Sequence, residues 1–144
     1  MIDAMFNQGA LPVVERLVQF TGQRHRVLVD NIANVSTPYY KPADLDPKAF
    51  QSALREAVDQ RRVGGNPAGT ALRMSDTQQI RFGKDRIEVR PEATHEGVLY
   101  HDQNNRDLER IMQNLAENTM AHNLGIELLR GELATLRTAI RERL

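Results

Sequence analysis

The chain has 144 residues, no cysteine and no tryptophan, and its 19 basic and 19 acidic side chains cancel. That length fits one modest domain. The missing thiols exclude a disulfide framework and thiolate chemistry, and neutral charge with few aromatic residues argues against a nucleic-acid binder. No stretch approaches the ~18 consecutive apolar residues of a membrane span, so direct membrane insertion is not expected. Met1 to Gly9 lacks the basic and apolar regions of a cleaved secretory signal, so any export is expected by another route.

In chain order, a short lead containing Met5 and Phe6 ends at Gly9, and Pro12 suits the first turn of a helix. From Val13 the apolar spacing turns helical. Val14, Leu17, Thr21, Leu28, Ile32 and Val35 fall near one face, Val13, Phe20 and Val27 widen it, and Arg24 interrupts the stripe. The helix is expected to end within Asn34-Val35-Ser36-Thr37-Pro38, because a residue before proline is pushed out of the helical region. Asn31 and Asn34 sit in its last turn. They either satisfy a backbone carbonyl or face solvent.

Tyr39 to Lys41 reads as extended chain. Asp46-Pro47 then reads as an N-cap followed by a first-turn proline, opening a short helix to about Arg61 with Phe50, Leu54 and Val58 at i+4 spacing. Arg55 and Asp59 can pair along its surface. Gly64-Gly65-Asn66-Pro67-Ala68-Gly69 is a break. From Thr70 to Tyr100 there is no sustained helical stripe. Ile80 and Phe82 alternate, as do Ile87 and Val89, with Gly83-Lys84-Asp85 between them, a weak signal for a small hairpin. Otherwise this stretch is expected to be loop or partly disordered.

The last stretch carries the strongest pattern. Alternating steps of four and three pick out Leu108, Met112, Leu115, Thr119, His122, Ile126, Leu129, Leu133, Leu136 and Ile140, apolar except for Thr119 and His122. This is one long amphipathic helix with a narrow seam, suited to coiled-coil-like packing. Asn104 or Asn105 can cap it, with Asp107 and Glu109 close behind, and Arg137, Arg141 and Arg143 lie near its other end. Gly125 and Gly131 are its weak points, each costing about 1 kcal/mol relative to alanine. Asn118 stands one step from the seam, where it can fix helix register or face solvent. Long helices of ordinary composition are marginal alone in water, so each terminal helix needs a partner, from this chain or a neighbour.

The expected fold is therefore mainly α. Long N- and C-terminal amphipathic helices pair as a coiled-coil-like hairpin, with a short helix and an irregular or small β middle segment. The expected division is 1–38 for the N-terminal helix and its signature, 39–104 for the middle, and 105–144 for the C-terminal helix. Leu17, Leu28, Ile32 and Val35 are expected to meet Met112, Leu115, Ile126, Leu129, Leu133, Leu136 and Ile140 across the seam.

Little in the sequence speaks for catalysis. His95 and His101 lie near Glu96 and Asp102, but solvated loop histidines explain them better than a metal site, and His122 on the seam reads as a hydrogen-bonded helix contact. Ser36, Ser52 and Ser75 occupy no nucleophile elbow. Asp44 and Asp46 border a helix start, where capping accounts for them. No enzyme activity, cofactor or metal is expected.

Asn31-Ile-Ala-Asn34-Val-Ser-Thr37-Pro38-Tyr-Tyr40-Lys41 closely resembles the N-terminal signature of the bacterial flagellar rod and hook family, roughly Asn-Ile-Ala-Asn, two residues, Thr-Pro-Gly-Tyr. Asn31, Ala33, Asn34, Thr37, Pro38 and Tyr40 match it. Tyr39 stands where the family usually carries glycine, a residue suited to a turn. Asn105-Arg-Asp107-Leu108-Glu109 resembles the family's lead into its C-terminal helix. Asn118 falls at a recurring asparagine, and His122 where tyrosine is commoner. Leu11 to Phe20, Asp44-Leu-Asp46 and Leu136 to Ile140, with the small size, resemble the short proximal rod members. An unrelated helical adaptor would have to carry the Asn31 to Tyr40 match by chance. The resemblance implies a structural subunit that assembles helically through its terminal helices into the periplasmic rod. It implies as partners copies of itself, neighbouring rod proteins, the membrane-ring and export-gate junction at the rod base, and the flagellar type III export apparatus.

Overall fold

The structure, a computed structural model, describes residues 9–63, 72–84, 86–93 and 108–141. Its elements in order are α1 (Leu11–Ala33), β1 (Ala43–Asp44), α2 (Pro47–Val63), β2 (Ile80–Phe82), β3 (Ile87–Val89), β4 (Glu92–Ala93) and α3 (Leu108–Arg141). The fold is mainly helical: two long terminal helices lie along one another, and a short helix and small β elements form the middle.

Pro12 lies in the first turn of α1, where its missing N–H costs nothing. The helix ends at Ala33. The Asn34 backbone N–H still reaches Asp30 O at 3.1 Å, and its side-chain amide donates to the same carbonyl at 2.9 Å. Thr37 N–H donates back to Asn34 O at 2.9 Å, and Tyr40 N–H to Thr37 O at 3.3 Å. That second turn places Pro38 second and Tyr39 third, with Tyr39 at φ 60°. The turn thus keeps the left-handed backbone that glycine takes freely, and a tyrosine bears the strain.

α2 opens as its sequence dictates. The Asp46 carboxylate accepts from Lys48 N–H at 2.8 Å, a side-chain cap on a helix whose first residue is proline. Asp59 lies 4.0 Å from Arg62 along the exposed face, in place of the expected pairing with Arg55.

The described residues of the middle segment carry two pairs of short strands. β2 and β3 form an antiparallel hairpin in the register Ile80↔Val89, Arg81↔Glu88 and Phe82↔Ile87. Gly83 is required at its turn, since a Cβ there would lie 2.8 Å from Arg86 O. β4 pairs with β1 through Ala43↔Ala93 and Asp44↔Glu92. The hydrophobic core, Phe20, Leu45, Phe50, Ile80 and Ile87, joins α1, the start of α2 and the hairpin. The Phe20 and Phe50 rings stack parallel with centroids 4.1 Å apart.

α3 packs along the flank of α1 that carries Leu17, Val18 and Thr21. Asn118 and His122 meet Thr21, whereas Gly125 approaches Val18 and Leu17. Rising numbers on one helix meet falling numbers on the other, so the pair is antiparallel. Stepping back from Val18, the start of α1 comes level with roughly Glu132, and the last turns of α3 run past it.

This arrangement corrects the seam. Met112 is 54% exposed and Ile140 48% exposed, whereas the buried residues of α3 are Ile111, Asn118 and Gly125. Leu115, Ile126, Leu129, Leu133 and Leu136 flank that line half-buried. The physical reason is close approach. A Cβ on Gly125 would stand 3.0 Å from Val18 Cγ2, so the backbones come nearest over small and polar residues that a count of apolar positions passes over. Ile140 lies beyond the start of α1. On α1, Leu28 is buried, Leu17, Ile32 and Val35 are half-buried, and Val35 already lies outside the helix.

Candidate functional site

Three groups of side chains decide how the terminal helices are held. In the first, Asn31 is buried in the last turns of α1. Its amide Nδ2 donates to Ala43 O at 2.7 Å, and its Oδ1 accepts from Ala43 N–H at 3.0 Å and from the Tyr40 hydroxyl at 3.1 Å. A side-chain amide carries a donor and an acceptor side by side. Asn31 therefore serves the backbone of Ala43 as a neighbouring strand would. Burial, and then the nearby Asp30 charge, hold the Tyr40 phenol above its ordinary pKa, so it remains a neutral donor.

In the second, the buried Arg24 faces the loop side of α1. Its Nε and Nη2 donate to the Asp44 carboxylate at 2.8 and 2.6 Å, and Asp44 Oδ1 also accepts from Leu45 N–H at 2.7 Å. The charge that interrupts the apolar stripe is thus paired, and Asp44 is an ion-pair partner where capping was expected of it. Nearer the start of α1, Arg16 Nη2 donates to Gly83 O at 2.8 Å and Lys84 O at 2.9 Å, which holds the hairpin turn against the helix.

The third group lies at the seam. Asn118 is buried and donates from Nδ2 to Thr21 O at 2.9 Å. Thr21 Oγ1 donates to Leu17 O at 2.8 Å and lies 2.8 Å from His122 Nδ1. The Thr21 hydroxyl thus links a carbonyl of its own helix with the His122 ring of the other. This polar layer has one register. Sliding α3 by a turn would strand Asn118 against apolar carbon.

The signature residues are therefore brought together in part. Asn31 and Tyr40 share one hydrogen bond, Thr37 Oγ1 lies 3.4 Å from Asn34 Oδ1, and Pro38 sits in the adjoining turn. Ala33 closes the helix, Leu108 opens α3, and Asn118 lies far along the seam. Asn105, Asp107, His95 and His101 fall outside the described residues. Apolar spacing places Thr21 on the stripe but does not find Arg24, Asp44 and Gly125. A charge inside an apolar stripe and a glycine inside a long helix are the signals that point to them.

These groups can hold backbones and fix register. Among the described residues no cluster of three or more metal-ligating side chains occurs, and no helix is long and apolar enough to cross a membrane. A shallow depression along α2, lined by Ser52, Arg55, Asp59 and Val63 among others, is the open flank of one helix. A further surface feature is a row of exposed apolar side chains on α3: Leu108, Met112, Met120, Leu124 and Leu128. With Ala116 they recur every fourth residue, a ridge of the kind that packs into a neighbouring helix.

No family model matches the chain. It is, however, similar almost end to end to curated proteins described as flagellar basal body rod protein FlgB. The protein of Yersinia ruckeri is 26% identical over 145 residues, covering 99% of each chain. That of Escherichia coli strain K12 is 27% identical over 136 residues, 92% of each. That of Cereibacter sphaeroides is 29% identical over 120 residues, 82% of this chain and 83% of the relative.

Proposed function

We propose that the chain is a member of the FlgB-like family of flagellar rod proteins, to which it is similar almost end to end, and a structural subunit of the proximal rod of the bacterial flagellar basal body. On this reading it assembles helically through its terminal helices, carries no catalytic activity, and is required for motility. Its partners are copies of itself, neighbouring rod proteins and the membrane-ring and export-gate junction at the rod base. It reaches the periplasmic rod through the flagellar type III export apparatus.

The observation that carries the proposal is the length of the match to FlgB proteins, 99% of both chains in the Yersinia ruckeri comparison. The Asn31 to Tyr40 signature and the outward ridge of α3 support it independently. An isolated molecule leaves Met120 and Leu124 largely in water, and covering such a ridge favours association.

Electron microscopy of basal bodies from a strain lacking the gene, beside the complemented strain, tests the proposal. The expected result is rings without a rod and no motility, both restored by the complementing copy. Intact rods and normal swimming in the deletion strain would overturn it.

A further inference from the structure

We propose that the two terminal helices are not equivalent: α1 is built into the folded body, and α3 is a separable arm that opens from it as a unit. The inference rests on how the two flanks of α1 are made.

The flank facing the middle of the chain is tied along its whole length. Arg16 holds the hairpin turn through two carbonyls, Phe20 stacks on Phe50, Arg24 closes a two-bond ion pair with Asp44, and Asn31 holds both backbone groups of Ala43. These ties reach the hairpin turn, α2 and β1 and alternate with the hydrophobic core, to which α1 contributes Phe20. Freeing α1 would expose that core and leave Arg24, Asp44 and Ala43 without their partners.

The flank facing α3 is long but thinly buried. Of the three buried residues of α3, Ile111 alone is a large apolar side chain, since Asn118 is polar and Gly125 has no side chain. No residue of α3 belongs to the hydrophobic core cluster. Across the seam, Thr21 is hydrogen-bonded both to Asn118 and to His122. Local opening follows the boundary where the fewest buried apolar contacts are lost. Here that boundary is the seam, and a helix is lost along it as a whole because the remaining contacts are spread over its length.

Hydrogen exchange measured by mass spectrometry on the full chain, at a concentration where light scattering shows a monomer, tests this. Amides across α3 should exchange together and at least about tenfold faster than those around Phe20, Leu28, Ile80 and Ile87, with α1 grouping with the hairpin and the start of α2. Asn118→Ala should speed exchange in α3 severalfold and leave the Phe20 and Ile80 peptides unchanged. Arg24→Ala should speed exchange in α1, α2 and the hairpin. A single common rate for α1 and α3 would overturn the proposal, as would an Asn118→Ala effect spread equally over the hairpin.

Discussion

Asn31 shows what one side chain decides. Within an apolar helix end it looks replaceable, yet it occupies both backbone groups of Ala43 and takes the Tyr40 hydroxyl. Asn31→Ala should cost about 1–3 kcal/mol in chemical denaturation, because it leaves the half-buried N–H and C=O of Ala43 without their partner. Asn31→Asp should be at least as harmful despite its matching shape, since an oxygen then faces Ala43 O. A cost below 0.5 kcal/mol for the alanine variant would show that water fills the role, a threshold well under the usual cost of an unmet buried group. Tyr40 adds a pH dependence. Its pKa is raised above 10.0 in the fold, so the neutral phenol is favoured there. The stabilisation is fully present below that value and is lost as pH rises through the folded pKa. Tyr40→Phe should lower stability by about 1 kcal/mol at neutral pH and should flatten the alkaline limb of the stability curve. A limb of unchanged steepness would assign the loss to other groups.

At the scale of elements, the glycines of α3 separate propensity from packing. Nothing stands within 4 Å of a Cβ built on Gly131, so Gly131→Ala should raise stability by up to about 1 kcal/mol. At Gly125 the same Cβ meets Val18 Cγ2 at 3.0 Å. Gly125→Leu should therefore push the helices apart and lower the melting temperature, despite leucine's better helix propensity. Equal gains at both sites would mean that α3 does not lie close on α1. The periodicity made the existence of α3 plain, and the Asp46-Pro47 start of α2 was equally legible because capping is local chemistry. The line of closest approach was not. It runs through Asn118 and Gly125, which no apolar count selects, while Met112 and Ile140 remain exposed.

For the whole molecule, folding and assembly draw on different residues. Leu28 is 1% exposed between packed elements, and Leu28→Ala should destabilise the monomer by roughly 2–5 kcal/mol. Leu124 is 59% exposed, so Leu124→Asp should leave the melting temperature nearly unchanged. On the proposed function, the same variant should fail to restore rods in the deletion strain. Normal swimming with Leu124→Asp would remove the outward ridge from the assembly surface.

The sequence by itself determined the long helices, the capped start of α2 and the hairpin turn at Gly83, since each rests on neighbouring residues, whereas Tyr39, expected in extended chain, takes a left-handed turn. Only the tertiary structure decided that Arg24 pairs with Asp44, that Asn31 replaces a strand at Ala43, and that Thr21, Asn118 and His122 set the register of the helix pair. Those partners lie 12 to 101 residues apart along the chain. Local propensity carries no information about which of two polar groups will meet, and that choice is made when burial leaves each of them a single place to satisfy its hydrogen bonds.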